Sequence, residues 1–330
     1  MATLAWDDAL ALVAAALERN ATSPENARIV ADALVRAEAD GLKGHGFSRV
    51  PTYAAQAKVG KVDGRAQPAV TRPAAAVVAV DAAHGFAFPA LAAAVAALPE
   101  VCRQTGVATA PIRRSHHCGA AGQPVERLAE AGLVAMMFAN SPPAIAPWGG
   151  KTALFGTNPI AFAAPLAERA PLVVDLSLSK VARGHIVAAK QRGEAIPEGW
   201  AFDAEGRATT DADAALAGTM APLGDAKGTA LALMVEMLAA ALTGANVARA
   251  ASSFLDAEGP PPGTGQLLVA FDPAALGGEE ARARITALAA TVEAEPGARL
   301  PGARRLEARA RARACGLDVT DDRLAAIDAL

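Results

Sequence analysis

A histidine and an arginine stand four residues apart near the start of the chain and could act together on a small acid. His45 lies between two glycines, where little side-chain bulk blocks a ligand, and an imidazole transfers protons near neutral pH. Arg49 would point to the same side on a helical turn, and a guanidinium can bind a carboxylate through two parallel hydrogen bonds. We therefore expect Arg49 to hold a substrate carboxylate, with a helix-capping histidine and an ordinary surface arginine as the alternatives. Tyr53, the only tyrosine, either walls the same pocket or packs in the core.

A second polar cluster consists of His116, His117 and Cys118. Adjacent side chains diverge too far to bind one ion easily, and no carboxylate lies beside them in the sequence. We expect no metal here. A metal-dependent hydrolase built on this cluster is an alternative hypothesis, and it would require bound zinc.

The spacing of the glycines only weakly predicts a dinucleotide-binding site. The Gly-x-Gly-x-x-Gly string that joins the first strand and helix of a Rossmann domain is absent from the sequence. Gly119 to Gly122 follow a predicted strand and precede a predicted helix, which is the context of an anion-binding helix start. Its spacing is not that of a dinucleotide site.

Apolar periodicity predicts strands and helices in alternation. The predicted strands are 76–80, 107–112, 133–139, 159–164, 172–178 and 266–271. The predicted helices are 4–18, 24–39, 89–104, 123–131, 228–242, 279–293 and a helical tail, 304–330. Ser23 and Pro24 are typical of a helix start and Gly41 of a helix end. The pattern predicts an α/β fold whose sheet is covered by helices, with 228–242 as a buried helix.

Composition excludes several classes of partner. The 330 residues carry a formal net charge of −3, which favours neither nucleic acid nor an anionic membrane. The arginines of 304–313 alternate with alanines and are interpreted as a solvated helix face. The most apolar segment, 229–242, contains Glu236 and is too short to span a bilayer. Three distant cysteines and the lack of a signal-peptide pattern predict a cytoplasmic protein.

Seven groups of residues, spread over nearly the whole chain, together resemble the malate/L-lactate dehydrogenase type 2 family. That family includes sulfolactate, ureidoglycolate and diketogulonate dehydrogenases and the piperideine/pyrroline-2-carboxylate reductases. The strings are His45-Gly46 with Arg49, Pro51 and Tyr53; Ser115-His116-His117-Cys118-Gly119; Ala146-Pro147-Trp148-Gly149-Gly150; Phe155-Gly156-Thr157-Asn158-Pro159-Ile160-Ala161; Val174-Asp175-Leu176-Ser177; Pro222-Leu223-Gly224-Asp225-Ala226-Lys227-Gly228; and Arg299-Leu300-Pro301-Gly302.

The resemblance implies a non-Rossmann α/β fold, similar to sulfolactate dehydrogenase, with a mixed sheet covered by helices. The N- and C-terminal helices would pack together: region 1–72 with 296–330, around an α/β core at 73–295 that binds cofactor and substrate. The family also implies a homodimer whose active site lies near the subunit interface. A missing Rossmann fingerprint is then an expected feature.

The same resemblance implies roles for individual residues. His45 matches the catalytic acid/base, and His117 competes with it for that role. Asp175 would either orient a catalytic histidine or contact an NAD or NADP cofactor. The positions that match cofactor contacts are Asn140, Ser141, Val173, Val174, Asp175, Leu176, Ser177, Lys180, Lys227, Gly302 and Arg304. A 2′-phosphate could be met by Ser179, Lys180, Arg183 and His185.

The expected function is NAD(P)H-dependent hydride transfer to a small 2-oxo acid, as in sulfolactate, malate or lactate dehydrogenases. Reduction of cyclic imine 2-carboxylates is the alternative, and a non-catalytic binding protein of the same fold is a further hypothesis. Two departures from the family pattern bear on these readings. Gly44 replaces a common serine, and Asp225 replaces a common glycine close to Lys227, with which it could pair.

Overall fold

Strands and helices alternate along most of the chain. The structure is a computed structural model and describes residues 2–330. Its strands are β1 (Ala2–Leu4), β2 (Ala69–Ala74), β3 (Val77–Asp81), β4 (Val107–Ser115), β5 (Val134–Ala139), β6 (Ile160–Leu166), β7 (Arg169–Leu176), β8 (Ala201–Phe202), β9 (Ala208–Thr209), β10 (Thr219–Met220), β11 (Thr264–Phe271) and β12 (Leu317–Val319). Its α-helices are α1 (Trp6–Arg19), α2 (Pro24–Ala39), α3 (Val50–Lys58), α4 (Ala87–Thr105), α5 (Gly122–Glu130), α6 (Arg183–Arg192), α7 (Ala212–Ala217), α8 (Ala226–Glu236), α9 (Pro273–Gly277), α10 (Ala281–Ala294), α11 (Ala303–Cys315) and α12 (Asp321–Asp328).

Seven strands form one mixed sheet in the order β2-β3-β4-β11-β5-β6-β7. Strands β3 and β4 run parallel, while the other five neighbouring pairs are antiparallel. A Rossmann sheet is mostly parallel, because helical crossovers join its strands. The expected non-Rossmann α/β fold with a mixed sheet is therefore confirmed.

Both faces of the sheet are covered, because apolar residues occupy both sides of the central strands. Along β5, Ala135 and Met137 pack in the core beneath α4 and α5, whereas Met136 and Phe138 pack in a second core with α8. Successive side chains of a strand point to opposite faces, which produces this division. Helix α8 continues into a π-helical turn, Met237–Ala241, on the second face.

The N- and C-terminal helices form a third core, as expected. Ser23 caps α2 by accepting the Asn26 N–H, and Pro24 begins the helix. Helix α11 packs on α2 and α12 on α1, and β1 pairs antiparallel with β12. The packing of the two ends is confirmed, while the domain boundaries at 72/73 and 295/296 stay a prediction.

A buried charge network joins these ends to the sheet layer. Arg309 donates to Asp40 Oδ2 at 2.8 Å and to Glu126 Oε2 at 3.0 Å. Arg305 lies 3.2 Å from Glu126 Oε1, and Arg36 lies 3.0 Å from Oε2. The interpretation of 304–313 as a solvated helix face is therefore wrong for these two arginines of α11. Buried charges are stable only when paired, and here Asp40 at the C-cap of α2 and Glu126 of α5 supply the carboxylates.

Replacing Glu126 with glutamine is expected to lower the free energy of unfolding at pH 7 by about 1.5–3 kcal/mol, the typical contribution of hydrogen bonds to charged groups. The facing arginines hold the pKa of Glu126 below its usual value against the opposing effect of burial. A depressed pKa gives stability that is present above the unfolded-state pKa and is lost as the pH falls through the folded-state pKa. Urea titrations between pH 3 and 7 should thus show a weaker acid dependence in the variant. Glu130→Gln, at a half-exposed carboxylate 3.4 Å from Arg36, is the matched control; equal behaviour of the two variants would contradict the prediction.

The expectation that 228–242 is a buried helix is wrong on its outer face. Val235 and Ala239 are fully buried, but Leu231, Met237 and Leu242 are 40%, 57% and 69% exposed. One face of this apolar segment is therefore buried and the other is exposed, although large apolar residues occur on both faces. No helix among residues 2–330 is long and apolar enough to cross a membrane.

Candidate functional site

His45 and Arg49 lie in two consecutive 3-10 turns, Lys43–His45 and Phe47–Arg49, between α2 and α3. The arginine folds back, so that its Nε donates to the Gly44 carbonyl oxygen at 2.8 Å. The two side chains are neighbours as expected, but they meet because the arginine folds back, and not because one helical turn carries both. Arg49 is thereby oriented before any ligand arrives.

Glu38 at the end of α2 holds the His45 turn in place. Its Oε2 accepts the Phe47 N–H at 2.9 Å, and Lys43 Nζ donates to its Oε1 at 2.6 Å. A Cβ on Gly46 would lie 2.1 Å from Glu38 Oε2, so a side chain there would clash unless the carboxylate moved. Sequence reasoning missed Glu38, because a glutamate in an amphipathic helix resembles a solvated residue. The glycine that follows His45 was the available signal.

His117 is brought to His45 from the end of β4. The two imidazoles stack with ring centroids 5.4 Å apart and an interplanar angle of 16°. Tyr53 of α3, whose side chain is fully buried, places its hydroxyl 2.5 Å from His117 Nδ1. The three residues predicted separately from the sequence thus form one cluster beside Arg49.

His116 points into the protein. Its ring is buried against Tyr53, Phe86 and Phe254, with centroid distances of 5.6, 6.1 and 5.3 Å. Neither ring nitrogen has a hydrogen-bond partner among the described residues. Among residues 2–330, no group of three His, Cys, Asp or Glu side chains is placed to hold a metal ion.

A buried lysine fixes the loop that walls the cluster. Phe254 lies 5.2 Å from the His117 ring centroid as well as against His116. Lys61, whose side chain is fully buried, donates to Asp256 Oδ1 at 3.0 Å and to its carbonyl oxygen at 3.1 Å. Gln56 donates to the same carbonyl at 2.7 Å. No motif marked Lys61, since its partner lies 195 residues away.

The histidines of the cluster favour their neutral forms. Burial, together with the nearby Arg49 guanidinium, lowers the pKa of His45 to about 4. Burial and the same guanidinium also lower the pKa of His117. A bound carboxylate that pairs with Arg49 would remove part of this effect, because it neutralises the positive charge.

Part of the predicted cofactor set converges at the start of α5. Asp175 Oδ2, at the end of β7, accepts the Gly122 N–H at 2.8 Å. A Cβ on Gly122 would lie 3.1 Å from Val173 Cγ1, and one on Gly302 (φ +85°) would lie 3.0 Å from the Val173 carbonyl oxygen. Glycine therefore permits three segments to meet closely. The Asp175 carboxylate takes the place that an external anion would occupy at this helix start.

Asp175 is exposed at the edge of β7, yet burial of its carboxylate side raises its pKa. Its Oδ1 has no partner within residues 2–330. No hydrogen bond joins Asp175 to a histidine in that part of the chain, and His117 Nδ1 is held by Tyr53. The geometry favours a ligand contact for Asp175 over the orientation of a histidine.

The remaining β7 candidates lie along one edge of the same region. Val174 is half-buried, Leu176 is 39% exposed and Lys180 is exposed. Ser177 Oγ lies 2.7 Å from Ser179 Oγ. Because successive side chains of a strand alternate, Val174 and Leu176 point to the opposite face of β7 from Asp175, whereas Ser177 and Lys180 follow the strand towards α6.

Asn140 and Ser141 follow β5 and form hydrogen bonds within the protein. Asn140 is buried, donates to Glu236 Oε1 at 3.2 Å and to the Asn246 carbonyl at 2.9 Å, and accepts the Gly265 N–H at 2.9 Å. The Ser141 hydroxyl accepts the Thr157 N–H at 3.0 Å. Because the polar atoms of the Asn140 amide are used within the protein, this position favours a structural role.

Lys227 and Arg304 are exposed. The ion pair between Asp225 and Lys227 is absent from the described residues, and Asp225 has φ +56°. Non-glycine residues rarely adopt this conformation, which explains why glycine would suit the position. At Gly44, no atom lies within 4 Å of an added Cβ, so packing does not require a glycine there.

The comparisons with known proteins show the family and the fold. The malate/L-lactate dehydrogenase family model matches residues 4–328. The (2R)-3-sulfolactate dehydrogenase (NADP(+)) of Chromohalobacter salexigens is 54% identical over 298 residues, covering 90% of this chain and 89% of the relative.

Two solved structures share the fold over nearly their whole length. The Δ1-piperideine-2-carboxylate reductase from Pseudomonas syringae pv. tomato has a TM-score of 0.95 and 39% identity, covering 100% of this chain and 99% of the other. Sulfolactate dehydrogenase from Methanocaldococcus jannaschii has a TM-score of 0.90 and 28% identity, covering 99% and 95%.

Proposed function

Because this chain belongs to the malate/L-lactate dehydrogenase family, we propose that it transfers a hydride between NADP(H) and a small sulfolactate-like 2-hydroxy acid or the matching 2-oxo acid. The enzyme class, an NAD(P)-dependent oxidoreductase, follows from the family and its relatives. The observation that carries the substrate proposal is the oriented Arg49 beside the stacked His45 and His117. A carboxylate on the guanidinium would bring the carbon next to it towards the imidazoles.

Side chains of this protein would transfer the proton, bind the carboxylate and exclude water. When bound, the reduced nicotinamide supplies the hydride. His45 gives the proton to the new hydroxyl during reduction and accepts it during oxidation. Arg49 binds the substrate carboxylate through its two Nη groups, because its Nε is held by Gly44. Phe254 helps to keep water from the imidazoles.

The residues around Asp175 fit a dinucleotide. Gly122 and Gly302 let their segments pack closely around Val173, and the Asp175 oxygen that does not bond Gly122 can accept a ribose hydroxyl. Towards α6, Lys180, Arg183 and His185 supply cationic or donor groups for a 2′-phosphate. The NADP(+) named for the sulfolactate dehydrogenase relative supports this preference.

A panel of steady-state assays tests the function. Absorbance of NADPH and NADH is followed with sulfopyruvate, oxaloacetate, pyruvate, pyrroline-2-carboxylate and piperideine-2-carboxylate. We expect the largest kcat/KM with NADPH and an open-chain 2-oxo acid. Turnover restricted to the two cyclic imines would overturn the substrate proposal, and NADPH binding without turnover of any substrate would identify a non-catalytic binding protein.

Reduction of cyclic imine carboxylates is the second candidate. It is supported by the Pseudomonas syringae reductase structure and by a 42% identical pyrroline/piperideine-2-carboxylate reductase from Pseudomonas putida. The same carboxylate clamp serves both substrates. The higher identity of the sulfolactate dehydrogenase favours the oxo acid.

We further propose that the protein is a homodimer that buries the outer face of α8 and of the π-helical turn that follows it to Leu242. This face presents large apolar side chains to solvent, and two copies can cover each other through it: Leu231, Leu233, Met234, Met237 and Leu242. Met237→Glu is expected to halve the mass measured by light scattering, while Leu288→Glu, at a 69% exposed position on α10, should leave it unchanged. A dimer that persists in the Met237 variant would exclude this face.

The proposed partner is a small molecule, and the proposed location is the cytoplasm. The substrate is a small carboxylate, and the net charge of −3 gives no basis for nucleic-acid or membrane partners. All three cysteines are free thiols, which is compatible with the reducing cytoplasm expected from their spacing.

A further inference from the structure

Tyr53 has the geometry of a residue that acts through His117. Its ring is enclosed by Phe86 and Phe88, with centroid distances of 5.5 and 6.1 Å, and by the edge of His116. Its hydroxyl lies 2.5 Å from His117 Nδ1. The enclosed ring cannot swing its hydroxyl away, so the bond is a fixed part of the site.

The direction of this hydrogen bond follows from the surroundings. A buried phenol needs an acceptor for its proton, and within residues 2–330 the only group bonded to the Tyr53 hydroxyl is His117 Nδ1. Burial raises the pKa of Tyr53, so the phenol keeps its proton. The hydroxyl therefore donates, and Nδ1 accepts. A neutral imidazole that accepts at Nδ1 carries its proton on Nε2.

The groups that face His117 also oppose a second proton on its ring. Arg49 and His45 approach from the 3-10 turns and His116 from the end of β4, and all three lower the His117 pKa together with burial. Tyr53 approaches from α3 as a neutral donor. On the loop side, Phe254 offers no charge. His117 is thus held neutral with an N–H on the nitrogen that is left for a ligand.

We propose that Tyr53 is a positioning residue that locks His117 as an Nε2–H hydrogen-bond donor to the 2-oxo oxygen of the substrate, a role distinct from the proton transfer by His45. This inference rests on the proposed function. During reduction, the substrate carbon gains the hydride and the oxygen gains a proton from His45. His117 keeps its own proton and stabilises the negative charge that develops on the oxygen. The two histidines then do not compete for one role.

Nitrogen-15 NMR of histidine-labelled protein tests the tautomer without turnover. The chain has five histidines, so the His117 signal can be assigned by its loss in a His117→Asn variant. We expect an unprotonated Nδ1 and a protonated Nε2 in the wild-type protein between pH 6 and 8. A protonated Nδ1, or averaging between the two tautomers, would overturn the proposal even if the enzyme reduces every substrate offered.

Tyr53→Phe supplies the kinetic test, because it removes the hydroxyl and keeps the ring. We expect the nitrogen signature of His117 to change and kcat to fall roughly ten-fold, as for a lost hydrogen bond, with the substrate KM changed by less than about two-fold. Phe88→Leu loosens the packing around the same ring but leaves the hydroxyl, and it should retain the wild-type signature. Unchanged kcat and signature in Tyr53→Phe would refute the positioning role, whereas a failed substrate panel with the expected signature would refute only the proposed function.

Discussion

Replacing His45 with alanine is expected to lower kcat by about 10²–10⁴-fold, the usual contribution of a positioned general acid or base. Of the two stacked histidines, His45 is the one whose Nδ1 lacks a partner in the described structure, while His117 Nδ1 is held by Tyr53. The measurement is single-turnover reduction at saturating NADPH and substrate, which separates the chemical step from product release.

The pH dependence of the kinetic parameters tests the role of His45 independently. Since the His45 pKa is lowered to about 4, the neutral form needed to accept the hydroxyl proton persists well below pH 6.5. For oxidation, kcat/KM should fall only on the acid side of that value, and for reduction kcat should fall as the pH rises above the pKa that His45 has in the complex. Both limbs should disappear in His45→Ala.

Arg103→Ala, at an exposed arginine on α4, serves as the control for kcat with NADPH. Wild-type kcat and pH limbs in His45→Ala would contradict the assignment. If kcat fell strongly only in His117→Ala, the proton transfer would be assigned to His117. That result would also contradict the positioning role of Tyr53.

Replacing Arg49 with alanine is expected to raise the KM of a carboxylate substrate by roughly 100-fold. Charge-assisted hydrogen bonds contribute about 1.5–3 kcal/mol each, and about 3 kcal/mol corresponds to this factor. The guanidinium is oriented by Gly44, so little side-chain entropy is lost when the substrate binds. KM for NADPH should change little, because the predicted cofactor surface lies around Asp175.

The same substitution should move the acid limb of oxidation upward, because the Arg49 charge helps to lower the His45 pKa. A neutral ketone serves as the substrate control, and Arg103→Ala, at an exposed arginine paired with Glu100, as the protein control. An equal loss of kcat/KM for the ketone and the carboxylate would rule out the clamp. Arg49→Lys keeps the positive charge, so it should restore part of the wild-type pH profile. It should not restore the bidentate binding of the carboxylate.

Local sequence signals determined the central elements of the fold. The strand predicted at 107–112 is the core of β4, and the helix predicted at 89–104 is α4 within two residues at its start. The caps of α2 were readable because Ser23 and Pro24 act within one turn of the chain. The family motifs then indicated the mixed sheet, which no local pattern could distinguish from a parallel one.

The sequence pattern did not predict which individual residues of these helices are buried. Large apolar residues occupy both faces of α8 and its π-helical turn, and only the packing against β11 and β5 leaves Met237 outside. Arg305 and Arg309 have the sequence pattern of a solvated face, yet Asp40 and Glu126 from distant segments enclose them. A charge run carries no information about partners far away in sequence.

The sequence by itself determined the chemical inventory of the site: two histidines, an arginine and a tyrosine in recognisable strings. Tertiary structure alone decided their relations, namely the stacking of His45 on His117, the Tyr53 bond to Nδ1 and the loop held by Lys61 and Asp256. The reason is physical. Residue type fixes which protons and charges a side chain can offer, whereas distance, burial and hydrogen-bond direction arise from contacts between segments that are 60 to 200 residues apart.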